Sequence, residues 1–158
     1  MTDLARLTIA NARRFATGHS LETDGPNDGP FIREWLGERG IHQPAAWCSA
    51  FACAMIHEAA RTLGLTLQLR YSAGALRLLH LNPELVIQQP EQGCLEIEDH
   101  GGGTGHVRIV TDVHLLPVSY DAIAGNTSGD GHSRNGDRVA ERVVMLPNPL
   151  LAGYLRVA

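Results

Sequence analysis

The spacing of apolar residues changes near Leu85, and this change constrains the fold more than any other feature of the chain. Before Leu85 apolar residues recur at helical spacing, whereas from Pro90 onward they alternate in short segments that Gly and Pro separate. Helices followed by a run of strands are typical of an α+β fold with an antiparallel sheet. We therefore predict N-terminal helices packed on a C-terminal antiparallel β-sheet.

Four helices and four strands are predicted from this pattern. The third helix is the most apolar: its Ala-rich first half predicts burial on most sides, and Gly64 is a natural end. The second helix begins at Pro30, because proline suits the first helical turn. The predicted helices span residues 4–15, 30–40, 44–63 and 72–81. The predicted strands span residues 94–99, 106–117, 119–126 and 138–146.

The size and charge of the chain fit a single domain spanning residues 1–158. The chain has 158 residues, of which 44% are hydrophobic, and this length is enough to bury a substantial core. A net charge of −4 gives no bulk attraction to nucleic acid or to an anionic membrane, so we expect neither as a partner. No apolar run approaches the roughly 20 residues that a membrane span needs.

Cysteine usage and the N-terminal residues both bear on the compartment. The three cysteines are an odd number, and Cys48 and Cys53 lie on different faces of one predicted helix, so a bond between them has poor geometry. We therefore expect free thiols in a reducing compartment. The first residues interleave Arg and Asn with apolar residues and lack the unbroken apolar run of a signal peptide. We expect synthesis in the cytoplasm and any export by a route without a classical signal.

Cys48 lies near the predicted start of the third helix, just after Pro44. Backbone N–H groups and the positive end of the helix dipole favour a thiolate over a thiol at such a position. The alternative is a small buried apolar side chain, which is the role that we predict for Cys53 and Cys94.

His106 and Asn126 are the other candidate parts of a thiol-based site. His106 precedes an apolar strand and follows the Gly-rich residues 101–105, of which Gly105 leaves room for a substrate beside the imidazole. Asn126 is suited to accept the ring N–H of His106 and so to aim the other ring nitrogen at Cys48. A cysteine nucleophile needs such a base and such an orienting group. The ordinary alternatives are a histidine that ends a hairpin and an asparagine in a turn.

Three other motifs partly match sites with different chemistry, and each lacks a feature that such a site needs. The letters HGGG resemble the oxyanion loop of some esterases, but no G-x-S-x-G supplies the serine. Residues 126–137 loosely match a calcium loop, although Arg134 lies within them and the flanks are predicted strands. A zinc set of Cys94, His100 and His106 matches no usual zinc spacing. We therefore predict no metal and no cofactor.

Three segments together resemble one family. PAAWCSAFACAMIHEAA resembles the W-C-x-x-F helix of the CHAP family, the cysteine- and histidine-dependent amidohydrolases/peptidases of bacterial cell-wall lysis. GGGTGHVRIV is similar to the G-H-V-x-I-V strand of that family, and IAGNTSGDG to its segment that carries E-G-N. The upstream ETDGPNDGPFIREWL is similar to the lead-in of a branch common in phage and prophage proteins. The resemblance runs from Asn11 to Arg142, most of the chain.

The resemblance implies a papain-like α+β fold, shared with NlpC-type hydrolases, and an amide-cleaving site. It implies Cys48 as the nucleophile, His106 as the general base and acid, and Asn126 as the orienting residue. It implies peptidoglycan as the substrate, cut at the N-acetylmuramoyl–L-alanine amide or within the peptide stem or bridge. Around the nucleophile we expect Trp47 as a wall of the substrate site, and Gln43 and the backbone N–H of Cys48 as donors to the oxyanion.

Two positions depart from the pattern of the family. Many members carry an acidic residue two positions before the Asn, whereas this chain has Ala124, so that carboxylate is absent or supplied elsewhere. Arg108 stands where a small residue is more usual beside the histidine. Arg108 either meets a substrate carboxylate or faces solvent, and we favour the second.

Two other functions stay open beside wall hydrolysis. One is a cysteine amidase or peptidase that acts on a substrate other than the cell wall, and the other is an inactive CHAP-like binding module. For a wall hydrolase we expect delivery to the periplasm or the cell exterior through a holin pore or a secretion system. The expected partners are then peptidoglycan and either an immunity protein or a component of the secretion machine or phage.

Overall fold

Four α-helices precede a six-stranded antiparallel sheet in the computed structural model, which describes residues 1–116, 118–133 and 135–157. The helices are α1 (Asp3–Arg13), α2 (Pro30–Gly37), α3 (Cys48–Leu63) and α4 (Ala75–Leu81), followed by a single 3-10 turn at Pro83–Leu85. The strands are β1 (Val86–Ile87), β2 (Leu95–Gly101), β3 (Thr104–His114), β4 (Ser119–Thr127), β5 (Arg138–Met145) and β6 (Leu151–Leu155).

The predicted α+β fold is confirmed, with the N-terminal helices packed on the C-terminal sheet. Each predicted helix and strand is present close to its predicted position. The predicted start of α3 at Pro44 is wrong: the helix begins at Cys48, because Trp47 has a non-helical backbone conformation (φ −120°, ψ 11°) and caps the helix. Pro117, the predicted last residue of one strand, lies outside the described residues.

Strands β1 and β6 are missing from the sequence-based prediction. Strand β1 has two residues, too few to show any alternation, and β6 contains Gly153, which interrupts the apolar pattern. The order across the sheet is β1-β6-β2-β3-β4-β5. The last strand therefore returns to the first half of the sheet and pairs with β2, which places β2 and β3 in its interior.

The two faces of the sheet differ in chemistry. One face packs on the helices, and its side chains join the main core with α3: Leu95 and Ile97 of β2, Val107 and Ile109 of β3, Ile123 of β4. Because side chains alternate along a strand, the intervening residues project to the opposite face. This second face, here called the polar face, carries Glu96, Glu98, His106, Arg108 and Arg142 beside a small apolar cluster around Tyr120 and Tyr154.

Helix α3 lies closely against the sheet at Gly125 of β4, which has no side chain. Most of its residues are buried, and Phe51 and Trp47 contact Gly125 of β4. The helix ends as predicted at Gly64, whose left-handed conformation (φ 66°) suits glycine. Within the described ranges, no helix combines the length and apolar character that crossing a membrane requires.

Candidate active site

Cys48 is the first residue of α3, and its thiol lies beside strand β3. The backbone N–H of Val107, the residue after His106, lies close enough to the sulfur to lower the pKa of the thiol. The N–H groups of Ser49 and of Cys48 itself also face the sulfur, since the first N–H groups of a helix have no intrahelical partner. The start of α3 thus holds a thiol among backbone donors, next to the strand that carries the candidate base.

Burial decides the charge of Cys48. Its side chain is 5% exposed, and burial raises the pKa of the thiol above its usual range. Backbone donors and the positive charge of Arg108 lower the pKa, but they do not outweigh the loss of water around the sulfur. The expected thiolate is therefore wrong for this structure, in which Cys48 is a neutral thiol near pH 7.

His106 lies near the start of β3 and is completely buried. It stands opposite Glu98 of β2 and shares the polar face with Arg108. Within the described part of the chain, neither ring nitrogen has a hydrogen-bond partner. Burial and the nearby charge of Arg108 lower the pKa of His106 to about 3, so the imidazole is neutral near pH 7.

Asn126 lies in an irregular part of β4. Its backbone is left-handed (φ 55°), a conformation that asparagine tolerates better than most residues, and the pairing with β5 shifts register between Ala124 and Thr127. Its Oδ1 accepts a hydrogen bond from the N–H of Gly136 at 3.4 Å. Its amide nitrogen is buried and has no partner among the described residues. This free donor is the group that a nearby base or substrate would meet.

The start of α3 lies beside the two strands that carry His106 and Asn126, but the ring of His106 belongs to the polar face, which is turned away from the helices. Gly125 packs so closely on Trp47 that an added Cβ would lie 2.5 Å from the indole ring, which brings β4 to the start of the helix. The thiol of Cys48 lies beside β3 near the backbone of Val107, and Asn126 follows Gly125 directly. Among the described residues, however, no hydrogen bond joins these three side chains to one another.

The site is closed to solvent, since no more than 5% of any of the three candidate residues is exposed. The segment 18–29 is hydrogen-bonded to the residue before Cys48 and to Asp137. The indole N–H of Trp47 donates to Glu22 Oε1 at 3.2 Å, and the N–H of Leu21 donates to the carbonyl of Asp137 at 2.7 Å. A substrate therefore reaches the thiol only after a local movement.

Arg108 is buried in an ion-pair network and does not face solvent as expected. It is 2% exposed, and its Nη1 lies 3.2 Å from Glu96 Oε2 and 2.8 Å from Glu98 Oε1. Its guanidinium is therefore already occupied by two carboxylates and is not available for a substrate carboxylate. A buried charge of this kind is tolerated only because opposite charges lie against it.

Glu96 and Glu98 are not predicted from the sequence as parts of the site. Burial raises the pKa of Glu96 above its usual range. Burial also acts to raise the pKa of Glu98, but hydrogen bonds from Arg108, Asn148 and His100 lower it to about 2. The alternation of Glu with Leu and Ile in β2 is typical of a half-exposed strand, so the sequence carries no sign that this face is covered. The amide of Asn148, in the connection before β6, covers it by donating to both carboxylates at 2.9 Å.

The other expected substrate contacts have different surroundings. Trp47 is completely buried among aromatic rings, so it is a core residue and not a wall of a substrate site. A Cβ on Gly105 would lie 2.6 Å from the carbonyl oxygen of Glu98 and 3.0 Å from Leu76, so this glycine is needed for packing and leaves no room for a substrate. Gln43 is exposed, in the loop that precedes α3.

A potential cation site lies at the far end of β3 from His106. The ligand atoms of Asp112, His114 and Asp121 all lie within 4.8 Å of one another, and His114 Nε2 lies 3.2 Å from Asp121 Oδ2. Within the described residues, this is the one group of three or more His, Cys, Asp or Glu side chains close enough to share an ion. The zinc set considered from the sequence is therefore not assembled.

The loop after β4, which matches a calcium loop in sequence, is held by hydrogen bonds among its own residues. Ser128 Oγ donates to Asp130, and the N–H of His132 donates to the same carboxylate at 3.0 Å. These oxygens are therefore engaged within the loop. Arg134, whose positive charge is unfavourable in a calcium loop, lies outside the described residues.

Comparison with known proteins gives no assignment. No protein-family model, curated protein or solved structure matches this chain. The function therefore follows from the residues of the site and their surroundings.

Proposed function

We propose that this protein is a peptidoglycan hydrolase of the CHAP type, with a papain-like fold, that cleaves an amide bond through Cys48. The observation that supports this most is the meeting of α3, β3 and β4 around the thiol. Cys48 begins the helix, its sulfur lies beside β3 near the backbone of Val107, the residue after His106, and Asn126 lies on β4 directly after Gly125. These are the nucleophile, base and orienting group that amide cleavage by a thiol needs.

Buried polar atoms without partners give further support. Both ring nitrogens of His106 and the amide nitrogen of Asn126 lack hydrogen bonds within the described chain, although both residues are completely buried. Each such atom costs about 1–3 kcal/mol of folding free energy. A site that keeps them is expected to use them, because a substrate or a reaction intermediate supplies the missing partners.

The proposed reaction begins from a neutral thiol and a neutral imidazole, after the local movement that admits the substrate has also brought the ring of His106 from the polar face to the thiol. As the sulfur of Cys48 bonds to the carbonyl carbon of the amide, the thiol proton moves to His106, which becomes an imidazolium. The oxyanion meets backbone N–H groups at the start of α3, including that of Cys48. The imidazolium then donates its proton to the leaving amine as the C–N bond breaks, which leaves an acyl group on the sulfur.

Water completes the cycle. His106, neutral again, takes a proton from a water molecule that attacks the acyl carbon. The C–S bond breaks, the carboxylic acid product leaves, and the proton returns to the sulfur. Asn126 holds the ring of His106 in the orientation that both half-reactions need.

The test compares wild-type protein with Cys48→Ala on isolated sacculi. Cys53→Ala is the matched control, because Cys53 lies in the same helix and is completely buried. We expect wild type and C53A to release new fragments and C48A to release none. Mass spectrometry of the fragments names the bond: peptides free of sugar indicate an amidase, and split stems or bridges indicate an endopeptidase.

Two results would contradict the proposal. Unchanged muropeptides after incubation with wild type would exclude the wall substrate, and full activity of C48A would exclude the nucleophile. If sacculi stay intact but Cys48 is selectively alkylated, a cysteine amidase with another substrate is favoured. If sacculi stay intact and Cys48 is not selectively alkylated, an inactive binding module is favoured. Delivery through a holin pore or a secretion system, and an immunity protein or phage component as partner, belong to the same proposal.

A further inference from the structure

Glu98 is the direct cross-strand neighbour of His106. In the pairing of β2 with β3, Glu98 stands opposite His106 and Glu96 stands opposite Arg108. Directly opposed residues of an antiparallel pair point to the same face, with Cβ atoms about 4.5–5.5 Å apart. The carboxylate of Glu98 and the imidazole of His106 therefore share one small part of the polar face.

The carboxylate of Glu98 is fixed in place and ionised. Glu98 is 2% exposed. Its oxygens contact Arg108 Nη1 at 2.8 Å, Asn148 Nδ2 at 2.9 Å and His100 Nε2 at 3.1 Å. These partners come from β2, β3 and the connection before β6, so the position of the negative charge is set by three parts of the chain.

The charges that act on His106 come from three strands. They are Glu98 and His100 on β2, Arg108 on β3 and Arg142 on β5. Glu98 alone among these four groups stabilises a protonated imidazole, and the other three disfavour it. At Ala124, where the family resemblance leads one to expect an acidic residue, there is a methyl group.

We propose that Glu98 is the positioning residue that stabilises the imidazolium of His106 while Cys48 attacks, and so supplies the negative charge that is missing at Ala124. This proposal rests on the proposed cysteine mechanism. Glu98 stays deprotonated throughout: the thiol proton moves only to His106, and the negative charge of Glu98 offsets the positive charge that forms there. Arg108 sets the strength of this effect, because it binds the same carboxylate.

The test compares Glu98→Gln with Glu96→Gln. Both changes replace a buried carboxyl group that contacts Arg108 by an amide of the same size, but only Glu98 stands opposite His106. The first measurement needs no substrate: it is the rate constant for alkylation of Cys48 by iodoacetamide as a function of pH. We expect E98Q to slow alkylation near neutral pH about tenfold and E96Q to stay within about threefold of wild type, since one pKa unit of lost stabilisation is a factor of ten.

The second measurement is turnover of sacculi. We expect E98Q to lower kcat with little change in KM, and Glu98→Asp, which keeps the charge, to recover most of the loss. Thermal unfolding shows whether each variant is folded. If E98Q is unfolded at the assay temperature, Asn148→Ala replaces it, because it removes one donor that fixes the carboxylate, and it is expected to slow alkylation of Cys48.

The role of Glu98 would be overturned if Cys48 were alkylated equally fast in E98Q and E96Q. Where N148A is used instead, equal alkylation rates in N148A and wild type would overturn it. This outcome is distinct from failure of the wall hypothesis. Wild type that leaves sacculi intact, together with slowed alkylation in E98Q, would retain the role of Glu98 and exclude only the substrate. Digested sacculi with unchanged alkylation in E98Q would retain the hydrolase and exclude Glu98.

Discussion

Single residues at the site carry charges and polar atoms that burial makes costly. His106 is completely buried and unpaired within the described chain, and Arg108 is balanced by Glu96 and Glu98. Interiors of low polarity disfavour both kinds of group unless partners are present. The neutral state of His106 follows directly from this environment, and it makes the stability of the protein depend on pH.

Acid is expected to destabilise the folded protein through His106. The pKa of His106 falls from an ordinary value of 6.5 to about 3 on folding, so below pH 6.5 the unfolded chain takes up a proton that the folded chain does not. This contribution to stability is complete above pH 6.5 and is lost as the pH falls toward 3. Between pH 6.5 and pH 5 the loss is about 2 kcal/mol.

Urea unfolding of wild type and His106→Gln across this pH range measures the effect. The free energy of unfolding of wild type should fall more steeply with acid than that of H106Q, which has no imidazole to protonate. Parallel pH curves for the two proteins would contradict the burial of a neutral His106.

Each of the three candidate residues stands beside a recognisable local signal in the sequence. Cys48 opens an apolar helix, His106 follows a run of glycines, and Asn126 follows a short strand. The charge state of Cys48 is not predictable in this way, because the helix dipole is a local property whereas burial depends on the whole fold. Glu98 is missed for the same reason.

At the scale of secondary structure, the contact between α3 and β4 positions the nucleophile. Gly125 lets Trp47 and Phe51 approach the strand at the start of the helix. The sequence predicts a helix from Pro44, since Ala-rich sequence favours helix, but Trp47 has a non-helical backbone and the helix begins at Cys48. Local propensity favours the element but does not set its first residue.

Gly125→Ala tests this contact. Its Cβ would lie 2.5 Å from the Trp47 ring and 2.9 Å from Phe51, so the helix or the strand must shift. Overpacking of this kind is expected to cost about 1–3 kcal/mol of unfolding free energy. Gly37→Ala is the control, because the nearest atom to its Cβ is 4.0 Å away and alanine suits a helix. Equal urea midpoints for G125A and wild type would contradict the tight contact.

At the scale of the whole molecule, the helices cover one face of the sheet and a buried charge network lies on the other. The candidate residues lie on β3, on β4 and at the start of α3, and the segment 18–29 is hydrogen-bonded to Trp47 and Asp137 nearby. The sequence predicts the helical layer and most of the sheet from periodicity. It does not predict the closed site or the covered polar face, because both depend on long-range contacts such as those of Asn148 and Glu22.

The most direct test of the account measures the three thiols in one experiment. Wild type and His106→Ala are treated with iodoacetamide near neutral pH, and peptide mass spectrometry follows Cys48, Cys53 and Cys94 separately. Burial raises the pKa of Cys53 to about 11 and that of Cys94 to about 12, so both are internal standards for thiols without a base. We predict that Cys48 reacts fastest in wild type and loses this advantage in H106A. Modification of Cys48 no faster than Cys53, or equally fast in H106A, would contradict the account.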